Sequence, residues 1–293
     1  MNRALYVSTN CFQDRSPDGI LTAIRQGGWT HIEFSGIRAS SKEAIRLCRR
    51  LRSEGIEVML HNYFPPSDEA FVLNLASLDP NLLKRSRRHC EEAILLSAEL
   101  GAPFFAAHAG FAADFPPLLL GDPKGLQRFR QERKGRWFEK EANDIFAESV
   151  KWLTDFGRRH GVRFLVENHV AEEGLGSDGA RSLLLCLEAE DLAMLAKKVG
   201  EESFGILLDV GHLRCTSRVL GFSKGEFCRA LSPWICAFHL SDNDGRRDSH
   251  QPFDASAWFL AVVGSRPHAV ATLEFDRCSR AEIFRSMEVM RVS

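Results

Sequence analysis

Six short apolar runs in the chain each end in a histidine or an acidic residue. In order they are VML-His61, FFAA-His108, FLV-Glu167, GILL-Asp209-VG-His212, CAF-His239-LS-Asp242 and ATL-Glu274. Each run is bounded by Gly, Pro or polar residues, and each is short enough to be a buried parallel strand. A buried strand that ends in a polar group delivers that group to its C-terminal edge. In an alternating β/α chain those edges gather on one face, where a (β/α)₈ barrel keeps its site. Burying one unpaired carboxylate is unfavourable, and several on successive strands require a compensating charge. Nitrogen and oxygen ligands converging on one point describe a divalent-metal centre.

The rest of the chain fits this frame. Strands are expected over 4–9, 31–36, 58–63, 104–110, 162–168, 204–211, 234–241 and 269–275, with helices over 17–27, 41–54, 80–100, 139–160 and 280–290. Within 87–100, Cys90, Ala93, Ile94, Ser97 and Leu100 recur at three- and four-residue steps, and Gly101 stands where a helix stops. The pattern predicts an α/β fold, a (β/α)₈ TIM barrel with right-handed crossovers, as a single domain over 1–293. One long irregular stretch, 111–138, contains PP at 116–117, the turn GDPKG and a basic run of Lys124, Arg128, Arg130, Arg133, Lys134 and Arg136. A loop of that length in a barrel is expected to be a lid or specificity element.

Composition limits the partners. A net charge of −1 gives no electrostatic reason to bind DNA or an anionic membrane, and nucleic acid is not the expected partner. No apolar stretch approaches the ~20 residues of a membrane span. The start MNRALYVSTN lacks a signal-peptide core, so a cytoplasmic location is expected. The eight cysteines show no CxxC spacing and suggest neither a zinc knuckle nor a disulfide framework.

The motifs LVEN, LLDVGH, FHLSDNDGRRDSH and TLEF at the ends of strands five to eight resemble those of the xylose isomerase-like TIM-barrel superfamily. That group contains sugar phosphate isomerases and epimerases, ketose 3-epimerases and the endonuclease IV type of abasic-site nuclease. In its sugar-acting members a Glu, an Asp, a His and a Glu hold one divalent ion. The resemblance carries these roles to Glu167, Asp209, His239 and Glu274. It makes His212 a substrate-oxygen ligand or outer group. Its nuclease members hold three zinc ions through nine ligands, which here correspond to His61, His108, Glu167, Asp209, His212, His239, Asp248, His250 and Glu274. NLAS at 74–77 also resembles the nuclease type. One departure concerns the turn after strand seven, where HQPFDAS stands in place of a glycine-rich segment.

The reaction implied is isomerisation or epimerisation of a sugar or sugar phosphate beside its carbonyl, through an enediolate. The cofactor is a divalent ion: Mn²⁺, Mg²⁺ or Co²⁺ for the oxygen-rich set, or Zn²⁺ if the extra histidines join it. Glu167 and Glu274, on strands facing each other across the mouth, are assigned as the acid–base pair. His61, His108, His212, Arg246 and His250 are assigned to substrate, and Asn168 and His169 to the surroundings of the ligands. The alternatives are an endonuclease IV-like trinuclear zinc phosphodiesterase, a metal-dependent dehydratase, and a non-catalytic sugar-binding barrel. A homo-oligomer is allowed.

Overall fold

The computed structural model describes residues 3–132 and 139–292. Its elements in order are β1 (Leu5–Ser8), α1 (Pro17–Gly27), β2 (His31–Phe34), α2 (Ser41–Ser53), β3 (Glu57–Leu60), α3 (Pro80–Leu100), β4 (Phe104–His108), α4 (Pro123–Glu132), α5 (Glu139–Arg159), β5 (Arg163–Glu167), α6 (Gly176–Leu183), α7 (Ala189–Val199), β6 (Ile206–Asp209), α8 (Val210–Leu220), α9 (Lys224–Ala230), β7 (Ile235–Leu240), α10 (Leu260–Gly264), β8 (Val270–Leu273) and α11 (Arg280–Val292). All eight expected strands form, seven of them shorter at one or both ends and β3 starting one residue earlier and ending sooner than expected. They make one parallel sheet in the order β3-β2-β1-β8-β7-β6-β5-β4. β3 and β4 lie side by side without a ladder, so the barrel is nearly closed.

Side chains on a strand alternate between its two faces, and here the alternation separates two cores. Val7, Ile32, Phe34, Val58, Phe105, Phe164, Val166, Ile206, Leu208, Phe238 and Leu273 face outward into the helices and form the main cluster. Tyr6, Met59, Phe104, Ala106, Leu165, Leu207 and Ala237 fill the barrel interior. Burying a side chain of this kind contributes about 1.5–3 kcal/mol. The helices end where their sequences say they should. Ser40 and Glu43 form a reciprocal capping box on α2. Gly101 closes α3 in the left-handed region, at φ 73°.

The stretch 111–138 differs from the expected irregular loop. It carries a 3₁₀ turn at Pro117–Leu119 and the helix α4. Phe111, Ala113, Phe115 and Leu126 pack with Leu175, Ala180, Leu183 and Leu184 into a separate small core. The excursion is therefore a packed element with its own apolar anchor. Of the basic run, Arg133, Lys134 and Arg136 lie outside the described residues. No described helix is long and apolar enough to cross a membrane.

Candidate metal centre

The inward parity that builds the interior core also builds the mouth. Two residues beyond Met59, Ala106, Leu165, Leu207 and Ala237 stand His61, His108, Glu167, Asp209 and His239. Glu274 follows β8, and Glu33 lies on β2 between outward-facing Ile32 and Phe34. Glu33, Glu167, Asp209, His239 and Glu274 are all at most 4% exposed.

His239 is the hub. Its Nδ1 lies 2.9 Å from Glu274 Oε2, 3.1 Å from Glu167 Oε1 and 3.9 Å from Asp209 Oδ2. Its Nε2 lies 3.1 Å from Glu33 Oε1 and 3.3 Å from Glu33 Oε2. His61 stacks on it with ring centroids 5.6 Å apart, and His61 Nε2 lies 3.4 Å from Glu274 Oε1. His108 Nε2 lies 3.1 Å from Glu167 Oε2. The potential ligand atoms form three overlapping groups: His61, Glu167, His239 and Glu274; His108, Glu167 and His212; and His212, Asp248 and His250. These groups hold eight of the nine sequence-assigned ligands, with Glu167 and His212 each shared by two; the ninth, Asp209, belongs to none of them, its Oδ2 lying 3.8 Å from His212 Nε2 and 3.9 Å from His239 Nδ1, and His61 takes its place beside Glu167, His239 and Glu274.

Local sequence explains each placement. Asp209 ends β6 and caps α8, its Oδ1 accepting from the His212 backbone N at 2.8 Å. Oδ2 is left buried with no hydrogen-bond partner. Asn168 ties β5 to β6 by donating to the Asp209 carbonyl and accepting from the Asp209 N. Gly211 is needed between them, because a Cβ there would stand 2.6 Å from Ser241 Oγ and 3.2 Å from Asp209 Oδ1. His212 Nδ1 bonds the Asn168 carbonyl, so its Nε2 faces Asp248 at 3.2 Å. His250 Nδ1 bonds the Glu274 carbonyl, and its Nε2 lies 3.0 Å from the same Asp248 oxygen. At the glycine-free turn His250 itself adopts the left-handed conformation, φ 44°.

The electrostatics follow from this crowding. Burial opposes ionisation of Glu167, but His108 and His239 beside it hold its carboxyl well below the usual range. Burial likewise opposes the His239 imidazolium, yet Glu33, Glu274 and Glu167 hold it well above its ordinary value. Burial together with the charges of Asp248, Glu167 and Glu274 pushes Asp209 up to about 6. None of Glu33, Glu167, Asp209, Asp248 or Glu274 pairs with a described Lys or Arg. Among the described residues, only histidines stand against them. Glu167 Oε2, like Asp209 Oδ2, is buried and makes no hydrogen bond, although His108 Nε2 lies 3.1 Å from it. These orphaned oxygens, beside imidazole nitrogens fixed from behind, fit a divalent cation.

Against the mouth lies a cavity of about 290 Å³. Its lining is part polar, with His108, His169, His212, Asp248 and His250, and part apolar, with Phe111, Leu120, Leu126, Leu175 and Leu184. One assignment changes here. Arg246 faces outward, more than half exposed and 3.8 Å from Glu173, and the arginine lining the cavity is Arg247. Lys124, Arg128 and Arg130 do not line it; Arg128 lies near Asp122, and Arg130 bonds Ser182. His169 lines the cavity with its ring edge-on to Phe111 at 4.6 Å. Glu33 is the residue the run-end pattern does not reveal. An acidic residue between two apolar ones in HIEF is its signal.

No curated protein sequence matches the chain. Among solved structures, a D-tagatose 3-epimerase-like protein superposes with a TM-score of 0.72 at 19% identity, over 100% of this chain and 96% of that one. The TTHB071 protein from Thermus thermophilus, soaked with zinc chloride, gives 0.65 at 19% identity over 100% and 99%. The 3-keto-D-glucoside 4-epimerase YcjR from E. coli gives 0.67 at 13% identity over 99% and 100%. At these identities the likeness shows the fold. The sequence profile described as xylose isomerase-like TIM barrel matches residues 21–268, and with most of its length so matched the chain belongs to that family.

Proposed function

We propose that the chain is a divalent-metal-dependent sugar isomerase or epimerase, with Glu167 and Glu274 as its acid–base pair. One observation carries this reading. Two buried carboxylates from β5 and from the end of β8 sit on the same histidine nitrogen, at 3.1 and 2.9 Å, at the polar mouth of the barrel. Glu167, Asp209, His239 and Glu274 would hold the ion. When bound, it supplies Lewis acidity toward the carbonyl and adjacent hydroxyl oxygens of a sugar.

The side chains do the rest. The ionised carboxylate of the pair takes the proton from the carbon beside the carbonyl. Its partner returns a proton to the same or the neighbouring carbon, and the roles exchange in the reverse direction. His108, His212 and His250 line the cavity and bind hydroxyl oxygens, and Arg247 supplies the cation at its wall. The apolar wall excludes water from the exchanging proton. Several solved structures of the same fold are described as epimerases of ketoses or keto-glucosides, which supports the reaction class.

A second reading has its own support. Three overlapping ligand groups, holding eight of the nine ligands that a trinuclear zinc phosphodiesterase would use, support it. The two separate in one experiment. Metal-loaded protein is incubated with a panel of ketoses in D₂O, and separately with abasic-site DNA. Deuterium entering the carbon beside the carbonyl, with the DNA intact, supports the isomerase reading. Cleaved DNA with no exchange on any sugar overturns it.

A further inference from the structure

Glu33 belongs to none of the ligand groups, yet it reaches the hub histidine from the far side. β2 and β7 are separated in the sheet by β1 and β8, so the contact crosses the barrel interior. Its carboxylate is 2% exposed and lies 3.1 and 3.3 Å from His239 Nε2. Thr272 on β8 donates its hydroxyl to Glu33 Oε2 at 2.7 Å and so braces it.

An ionised carboxylate can only accept, and a neutral imidazole carries its proton on one nitrogen alone. We propose that Glu33 is a positioning residue: it keeps the His239 proton on Nε2, so that Nδ1 turns its lone pair to the ion among Glu167, Asp209 and Glu274. This inference rests on the metal-centre reading above. The stacked ring of His61, 14° from parallel, holds the plane while Glu33 sets which nitrogen is bare. Partners behind metal-binding histidines typically alter metal affinity 10–100-fold.

One oxygen does this work. Glu33 Oε2 faces both the Thr272 hydroxyl, which donates to it, and His239 Nε2, while Oε1 is buried without a hydrogen-bond partner. Glu33→Leu removes that acceptor and leaves nothing in the cavity behind the ring to hold the proton on Nε2.

The test is zinc affinity by calorimetry for wild type and Glu33→Leu, together with ¹⁵N NMR of the His239 ring in zinc-loaded wild type. The expected result is a proton on Nε2, zinc on Nδ1 and affinity weakened about 10–100-fold in the variant. A proton on Nδ1, or variant affinity within twofold of wild type, overturns the inference and leaves the metal centre standing. If wild type binds no zinc, both fall. Should Glu33→Leu fail to fold, the NMR result in wild type decides alone.

Discussion

The barrel interior and the barrel mouth are made by the same strands on the same inward parity, two residues apart, and their chemistry is opposite. Leu165 precedes Glu167, Leu207 precedes Asp209 and Ala237 precedes His239. The lower layer is apolar and stabilises the closed sheet. The upper layer, with Glu33 level with Met59 below it and Asp248 from the loop after β7, brings five carboxylates together that are balanced, among the described residues, only by histidines. One register step along the strand separates stabilisation from chemistry. The mouth is where the fold accepts a local electrostatic penalty that a bound cation would relieve.

The sharpest way to break this division is to change the mouth without changing the fold. Glu167→Gln and Glu274→Gln keep an oxygen where the carboxylate was but cannot cycle a proton. Each should lower kcat by about 10²–10⁴, with the thermal midpoint and metal content near wild type. Full activity in both variants would reduce the pair to ligands.

The converse change is made one layer down. Leu207 is 1% exposed in the interior core. Leu207→Ala should destabilise the protein by about 2–5 kcal/mol in denaturant titrations, while the folded fraction keeps its metal affinity. Loss of metal binding in the still-folded protein would show that the two layers are not separable.

How far this division was legible in the sequence depends on the element. The eight strands were readable because each apolar run is flanked by breaking residues, and the ligands because they end those runs. Glu33 was hidden because it sits inside its run, where alternation and not the run's end marks the inward face. The helix α4 was hidden behind PP and GDPKG. Asp122 accepts from the Gly125 N at its start, and Leu126 with Phe129 supplies its apolar side, a short signal among basic residues. The choice between Arg246 and Arg247 depends on a turn at Gly245, φ 77°, and no strand or helix period reaches that loop.

A smaller effect sharpens the electrostatic half of the comparison. In the metal-free protein the folded pKa of Asp209, about 6, lies above its ordinary 3.8. The folded state therefore holds a proton that the unfolded chain releases. Asp209's favourable contribution is complete below about pH 4 and is lost as pH rises through about 6, by at most ~3 kcal/mol. Asp209→Asn keeps the cap on α8 and removes the titration. Between about pH 4.5 and 6.5 metal-free wild type should lose stability relative to this variant, and a divalent ion should restore it in wild type only. Parallel pH curves would contradict the origin of the strain.

The smallest expected effect separates two neighbouring residues. Arg246→Ala removes an exposed pair with Glu173 and should leave kcat/KM within about twofold, since such pairs contribute ~0–1 kcal/mol. Arg247→Ala removes a cavity wall and should raise KM by about tenfold, the effect of losing one charge-assisted contact. Equal effects would mean that the turn at Gly245 does not decide which arginine meets the substrate.

The central claim is that the mouth is a divalent-metal centre serving proton transfer on a sugar. Its most direct test is a titration of chelator-stripped protein with Mn²⁺, counting ions per chain by native mass spectrometry while following deuterium exchange on a ketose substrate. The account predicts that exchange is absent in stripped protein and reaches its plateau at one ion per chain, with protons released as the ion binds. Exchange that persists without metal, or a protein that takes up no ion at its mouth, would contradict it.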